Sequence, residues 1–330
     1  MSGSIRSRHR DGVLGALALS ANADPAPVAS VCICTLARPE GLARLLAALA
    51  QQIEAPPFEV VVVDNDARGT AVDVVEPFRR QLRLSYFVQP LRGLTHSRNM
   101  AVERSIGAYV AFIDDDEWPR SDWLANLHRM ATNRAADAVF GPVLVQFADG
   151  VPRHVRGCRL FAHQLPEHGA SVPWHTTRTS NAYVRRAALP DPSRPFRDAF
   201  NLTGGEDCDL FKRMLDNGAV AIAAADAVVY EHRPLRRSDT LWCLRRAFRN
   251  GGMETELLLG EMELSTRRRT AAARARRELL HGLKRLIRPK GEPRFNNLLL
   301  IPMAFGRVAY AYGIRYEEYK RADRNDEGAV

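Results

Sequence analysis

Five cysteines in 330 residues are too few and too irregular to staple a fold. No CxxC spacing occurs; Cys32 and Cys34 alternate along an apolar run and read as buried strand thiols in a reducing compartment. Also missing is an uninterrupted apolar stretch of about 20 residues, so no transmembrane helix is expected. The first strand-like run is followed by Leu36-Ala37-Arg38-Pro39, which contains no glycine. Dinucleotide-binding and P-loop sheets keep their phosphate-cradling loop at that place, so both are disfavoured. Apart from His232, the histidines show no metal-binding spacing. Hydrophobic residues at 46% and charged residues at 26% describe a globular chain and exclude disorder or fibrous repeats as its main character.

What is present is unevenly placed charge. The net charge is +9, and between Arg233 and Lys290 there are 16 Lys/Arg against 6 Asp/Glu. The chain before and after that stretch is close to neutral. A basic module on a neutral body suits an anionic partner: a phospholipid surface, a phosphorylated carrier or nucleic acid. The plainer reading is a solvated helical face. At the N-terminus, Arg6, Arg8 and Arg10 precede the apolar Gly12–Ala21 stretch, with Ala21-Asn22-Ala23 as a small-residue site. Asp11 interrupts this outline of a signal peptide, and a flexible leader over 1–27 is the preferred expectation.

Apolar runs at Val28–Thr35, Phe58–Asp64, Leu84–Val88 and Tyr109–Ile113 read as strands. Helical spacing predicts helices at Glu40–Gln52, Ala71–Arg80 and Thr95–Ser105 between them, with Thr95 as a cap. A helix at Ser121–Asn133 and a strand at Ala138–Phe147 follow. This alternation implies an α/β fold with a mostly parallel sheet and helices on both faces. Ligands of such sheets sit beyond the carboxyl ends of the strands. Those ends carry Thr35, then Asp64-Asn65-Asp66, then Asp114-Asp115-Asp116-Glu117. A helix cap would explain Asp64 alone. Four consecutive acids repel one another and need a cation or hydrogen-bond donors. All-oxygen ligands favour magnesium, manganese or calcium over zinc.

Further along, Gly204-Gly205 precedes Glu206-Asp207 at a helix start, where acids suit the helix dipole and glycines allow close approach to a ligand. His232 ends an apolar strand and is either a metal ligand or a packed residue. Trp174, beside His175, either offers a ring on which a ligand stacks or covers a core edge. Asp239–Leu259 and Ser265–Ile287 read as helices. In the second, Arg274, Arg277 and Lys284 lie beside Leu279, Leu280, Leu283, Leu286 and Ile287, a basic amphipathic pattern. Asn297–Ile314 is either an interfacial element or a buried packing helix.

Taken in order, Thr35 with Arg38, VVVDND at Val61–Asp66, GLTHSRN at Gly93–Asn99, AFIDDDEWP at Ala111–Pro119 and GGEDCDL at Gly204–Leu210 resemble family 2 glycosyltransferases of the GT-A fold. FGPV at Phe140–Val143 and RTSNA at Arg178–Ala182 are similar to bacterial exopolysaccharide enzymes of the succinoglycan glucosyltransferase type. The resemblance implies a GT-A domain over 28–235; beyond it, the basic amphipathic pattern suggests a helical, arginine-rich, membrane-associating region over 236–330. It implies an inverting transfer from a nucleotide-diphosphate sugar, a UDP-sugar by preference, to a saccharide or a polyprenyl-diphosphate-linked saccharide. In that family pattern Asp116 ligates manganese or magnesium, and His232 completes the cation site. Asp114 supports the ribose and the metal's waters, with Asp115 at the variable middle position. Thr35 and Asp64 meet base and ribose, and Arg98 lies near the base or diphosphate. Asp207 is the catalytic base and Glu206 orients the acceptor, with Trp174 available to stack on it. The partners implied are nucleotide-sugar, saccharide acceptor and an anionic membrane at the cytoplasmic face, without nucleic acid. Two rivals stand beside this reading. A nucleotidyltransferase acting on a sugar phosphate would need a glycine-rich basic loop after Thr35. A non-enzymatic anionic-polymer binder leaves the acidic edge unexplained.

Overall fold

The computed structural model describes residues 25–162, 165–287 and 294–317. Most of the leader expected over 1–27 lies outside the described residues. The chain alternates β1 (Ala29–Thr35), α1 (Pro39–Leu49), β2 (Phe58–Asp64), a one-turn α2 (Val72–Val75), β3 (Leu84–Val88), α3 (Leu94–Glu103) and β4 (Tyr109–Phe112). It continues through β5 (Glu117–Pro119), α4 (Trp123–Asn133), β6 (Ala138–Phe140), β7 (Val143–Phe147), a one-turn α5 (Arg153–Arg156) and β8 (Ala182–Arg185). Next come α6 (Glu206–Asp216), β9 (Ala221–Ala223) and β10 (Val229–Arg233). The helices α7 (Thr240–Leu259), α8 (Leu264–Ile287), α9 (Arg294–Leu298) and α10 (Leu300–Ala311) follow.

Period-two alternation sends the side chains of the first strands into two separate cores. Val31, Ile33, Val60 and Val62 pack with Leu42, Leu45 and Leu46 of α1 and with Leu124 and Leu127 of α4. Cys32, Val61 and Val63 point the other way, toward Ala101 and Val102 of α3 and Leu210 and Phe211 of α6. Burial on both faces is why these strands read as unbroken apolar runs. The main sheet has the order β3-β2-β1-β4-β8-β6-β9, with β8 alone antiparallel to its neighbours. A second sheet, β5-β10-β7, stands at its carboxyl edge, where β5 follows directly from the acidic run after β4. All five thiols are free, and burial pushes the Cys32 thiol up to about 12.

Two elements differ from the sequence expectation. The strand expected over Ala138–Phe147 breaks at Gly141-Pro142, so that β6 joins the main sheet and β7 the small one. Asn181 holds that break, at φ 58° and fully buried. Its Nδ2 donates to the carbonyls of Pro142 at 2.9 Å and Ala227 at 2.7 Å, and its Oδ1 accepts from Trp123 Nε1 at 2.7 Å. The helix expected over Ala71–Arg80 is divided by Pro77 into α2 and a 3-10 turn at Glu76–Arg80, because proline lacks the donor that would continue an α-helix.

The C-terminal helices pack closely. The Asp239 carboxylate caps α7 by accepting from the Trp242 N–H at 2.6 Å. Where α7 crosses α10, a Cβ on Gly251 or Gly306 would lie 1.9 Å from the carbonyl oxygen of Met303 or Phe248, so only glycine permits the contact. Arg307 of α10, 4% exposed, pairs with Glu254 of α7 and Glu278 of α8. The stretch Asn297–Ile314 therefore contains a packing helix rather than an interfacial one. Among the described residues no helix is long and apolar enough to cross a membrane.

Replacing Asn181 with Ala leaves the Ala227 carbonyl and the Trp123 indole N–H without partners in the core, while the Pro142 carbonyl keeps the Val229 N–H at 3.1 Å. We expect Asn181→Ala to lower unfolding stability by about 2–4 kcal/mol in urea titrations. A loss below about 1 kcal/mol would show that water takes over those hydrogen bonds.

Candidate active site

A cavity of about 240 Å³ opens where β1 and β4 end and α3 and α6 begin. Thr35, Arg98, Asp114, Asp116, Glu206 and Asp207 all line it, so residues spread over 170 positions of the chain meet at one edge of the sheet. The starts of both helices are shaped by contacts distant in sequence. α3 is capped by Asn201, whose Oδ1 accepts from the Thr95 N–H at 3.1 Å and the Thr95 hydroxyl at 2.9 Å, in place of the expected Thr95 cap. α6 starts after Gly204 and Gly205 at φ 71° and 100°; a Cβ on Gly205 would meet Met253 Cγ at 2.5 Å. The close approach that this glycine allows is to α7.

The acids after β4 take different partners. Asp115, the middle residue, is 3% exposed and accepts from Thr35 Oγ1 at 2.8 Å and Arg38 Nη1 at 2.7 Å. Burial raises its pKa to about 6 even with Arg38 opposing. Burial also opposes charge on Asp116, but Arg237, Arg38 and Arg233 outweigh it and hold the carboxyl below its ordinary value. Its Oδ2 is 2.9 Å from Arg237 and 3.1 Å from Arg38. Asp114 keeps 45% of its side chain exposed, with Arg98 at 3.1 Å. Arg98 also pairs with Glu206. Burial would lower the Arg98 pKa, but Glu206 and Asp114 together raise it. Burial pushes Glu206 up despite Arg98, and one of its oxygens, Oε2, has no hydrogen-bond partner. Asp207 lines the cavity, and its Oδ1 accepts from the Cys208 N–H at 2.8 Å. Asp209, two residues on, is 5% exposed and engaged by Arg213 at 2.9 Å.

Three expected site residues lie off the cavity wall. Asp64 is fully buried, and its oxygens accept from the N–H groups of Asp66 and Ala71, each at 2.9 Å, and from Tyr86 Oη at 2.8 Å. Its neighbour Asn65 lines the cavity instead. His232 is exposed, because alternation along β10 turns Glu231 and Arg233 to the cavity and His232 away from it. Trp174 stands in a 3-10 turn edge-on to His175, and only the residues just after it, Arg178, Thr179 and Ser180, reach the cavity. Sequence reasoning missed Glu231, Arg178 and, from the helical region, Arg237, Arg246 and Arg249. The spacing of Arg246 and Arg249 marks one helix face, but nothing local says what that face meets.

Comparison with known proteins decides the family. The model of Glycosyl transferase family 2 matches residues 30–191. The succinoglycan biosynthesis protein ExoM of Rhizobium meliloti is 35% identical over 68% of this chain and 74% of its own length. The chain belongs to glycosyl transferase family 2. Its fold is that of S. aureus TarS 1-349 in complex with UDP-GlcNAc, at a TM-score of 0.54 and 19% identity over 88% of this chain and 90% of that one. The mannosyltransferase PcManGT of Pyrobaculum calidifontis, solved with GDP-Man and Mn2+, gives 0.52 at 18% identity over 88% and 74%. The expected GT-A architecture is the one observed, and both rival classes are displaced.

A divalent cation is tested by the donors this glycosyltransferase offers. Burial, Asp114 and Glu231 push Glu117 well above its ordinary value, and burial raises Glu231 as well. That crowding of carboxylates beside the half-exposed Asp114 is what a hard, oxygen-seeking cation would relieve. Among the described residues, however, no three His, Cys, Asp or Glu side chains converge into a ready-made metal site. Asp116 is shared by Arg38 and Arg237. The donors are of the right kind, all oxygen, but Asp116 is not free for a cation while both guanidiniums hold it.

Arg98 offers the sharpest test of this electrostatic arrangement. Arg98→Met leaves Glu206 buried without its ion-pair partner and with only the Arg249 charge nearby, and we expect a loss of about 3–5 kcal/mol. An acid whose folded pKa is raised destabilises the fold increasingly as pH climbs through that value. The deficit should therefore be larger at pH 8 than at pH 5.5, and adding Glu206→Gln should recover part of it in urea titrations at both pH values.

Proposed function

We propose that this enzyme is an inverting glycosyltransferase that moves a sugar from a nucleotide-diphosphate sugar, a UDP-sugar by preference, to a saccharide hydroxyl in cell-surface or exopolysaccharide synthesis. The observation that carries the reading is that Asp207 and the acids 114–116 face one cavity in a family 2 fold. The TarS complex with UDP-GlcNAc and the succinoglycan relative support the donor and the acceptor class respectively. The acceptor is a saccharide, free or carried on polyprenyl diphosphate. Free thiols throughout suit work on the cytoplasmic side, with the membrane as the place where a lipid-linked acceptor is met.

Asp207 acts as the base. Its carboxylate, oriented by the Cys208 N–H, takes the proton of the acceptor hydroxyl as that oxygen bonds to the anomeric carbon. The bond from that carbon to the diphosphate oxygen breaks on the opposite face, so the anomeric configuration inverts. Glu206 is unsuited to the proton transfer because it is buried against Arg98, and it orients the acceptor side. Thr35, Asn65, Arg98 and Asp114 form the donor wall, with Asp64 holding the Asn65 loop from behind. Manganese or magnesium held by Asp116, with Asp114 supporting its water shell, would offset charge on the leaving diphosphate. Arg178, Arg246 and Arg249 face the same cavity and add positive charge there. Residues 28–235 form the catalytic unit in this reading, and Arg237, Arg246 and Arg249 from the region 236–330 complete its wall.

Asp207→Asn is nearly isosteric, so donor affinity should persist while turnover falls by roughly a hundredfold or more. Near-parental turnover with the true acceptor would place the base elsewhere, and retention of the donor's anomeric configuration in the product would exclude single displacement altogether.

Asp116→Ala should abolish the manganese-dependent part of nucleotide-diphosphate binding in calorimetric titrations while thermal unfolding stays cooperative. The same affinity in variant and parent would remove Asp116 from the cation site.

A further inference from the structure

The helix α8 is built inside out. Its buried positions hold the small residues Ala271, Ala275 and Gly282, while Leu280, Leu283 and Ile287 are 58%, 49% and 79% exposed. Close packing explains the inward choice: a Cβ on Gly282 would already lie 3.0 Å from the Asn297 carbonyl oxygen and 3.3 Å from Leu300. Nothing in that packing requires large apolar side chains on the other face, where they lose free energy in water.

The outward face is one continuous stripe. Positions 269, 273, 276, 280, 283 and 287 follow one another by four and three residues, and all six are exposed. Over about 27 Å the stripe passes from Arg269 and Arg276 to Leu280, Leu283 and Ile287, flanked by the exposed Arg277 and Lys284. The one carboxylate of α8, Glu278, is turned inward onto Arg307. Arg267 and Arg268 are also committed to the protein, the first to the Met262 carbonyl at 3.1 Å and the second over the Tyr312 ring at 4.6 Å. The arginine-rich sequence thus separates into residues that pack and residues that face outward.

We propose that this stripe is a docking surface for an anionic phospholipid bilayer, with Leu280, Leu283 and Ile287 entering the interface and Arg269, Arg276, Arg277 and Lys284 meeting phosphate headgroups. Positive charge without acids matches anionic lipid. The same uniform charge would repel a second copy of this face. Three clustered apolar side chains at one end are of no use to a nucleic-acid phosphate backbone, whereas amphipathic helices that lie in a membrane interface combine both features. The proposal rests on the helical region and not on the glycosyl-transfer reading. It adds a geometric consequence, however: α8 and α7 both pack on α10, and α7 carries Arg246 and Arg249 to the cavity, so the docking face and the cavity wall belong to one packed group of helices.

The test is co-sedimentation of the full chain with vesicles of phosphatidylcholine, with and without about one-third phosphatidylglycerol. Binding should require the anionic lipid and weaken with salt. It should fall by roughly tenfold or more in Arg269→Gln/Arg276→Gln/Arg277→Gln/Lys284→Gln and in Leu280→Ser/Leu283→Ser/Ile287→Ser. In the otherwise unchanged chain, Ile287→Trp should show blue-shifted emission on anionic vesicles. Turnover with a water-soluble acceptor should not change in any of these variants, which separates failure of docking from failure of the catalytic reading. Equal binding by parent and variants, no binding to anionic vesicles, or unshifted emission at position 287 would each overturn the proposal. So would a dimer in sedimentation velocity that the serine variant dissolves, since the face would then belong to a second copy.

Discussion

Everything at the carboxyl edge of the sheet answers to one constraint, the density of negative charge where β4 ends. Asp114, Asp115, Asp116 and Glu117 leave an apolar strand together, and the protein supplies cations to them from three directions. Arg38 comes from the turn after β1, Arg98 from α3 and Arg237 from the turn after β10. Each pairing also fixes an element. Removing the countercharge would leave carboxylates desolvated with only one another for company, which is the costly case for buried ions. The edge is therefore an assembly point for the fold as well as the floor of the cavity.

That double duty explains which parts of the site were legible in the sequence. Strands buried on both faces produce runs such as FEVVVVD that announce themselves, and the acids ending them mark the ligand edge of a parallel sheet. The roles within the acidic run are not local properties. Asp115, in the turn between β4 and β5, is buried and locked by Thr35 and Arg38, while Asp114 keeps nearly half of its side chain exposed; adjacent letters in DDD do not display that difference. His232 fails for the same reason, since parity along β10 gives the cavity to Glu231 and Arg233. Asp64 reads as a ligand-facing acid until its loop is seen to close over it with two N–H groups. The break at Gly141-Pro142 was visible as residues, but its meaning, a strand passing from one sheet to another, depends on Asn181 from forty residues away.

The helical region was the least legible, and a single ambiguity accounts for most of it. An amphipathic pattern states that a helix has two faces without stating which face the protein covers. In α10 the face bearing Ala304, Gly306, Tyr310 and a buried Arg307 is covered, while Phe305 is left outside. In α8 the small residues are covered, while Leu280, Leu283 and Ile287 are not. Both outcomes follow from how closely α7, α8 and α10 approach, and that distance is set by glycines that carry no hydrophobic signal. The same blindness hid Arg246 and Arg249, whose spacing defines a face that becomes part of the cavity only once α7 is laid across Gly205.

Glu206 and Asp207 show how neighbouring carboxylates can be given unlike work. At the first turn of a helix, successive side chains diverge by about 100°. One therefore turns toward Arg98 and is buried, and the other turns to the cavity with a backbone N–H to orient it. Arg98 then serves two walls at once, holding Asp114 just after β4 and Glu206 at the start of α6. A guanidinium shared in this way couples the two sides by simple electrostatics: whatever engages Asp114 reduces its claim on Arg98 and leaves more of that charge to Glu206. On the proposed assignment, the surroundings of the base are thereby tied electrostatically to whatever occupies the donor wall.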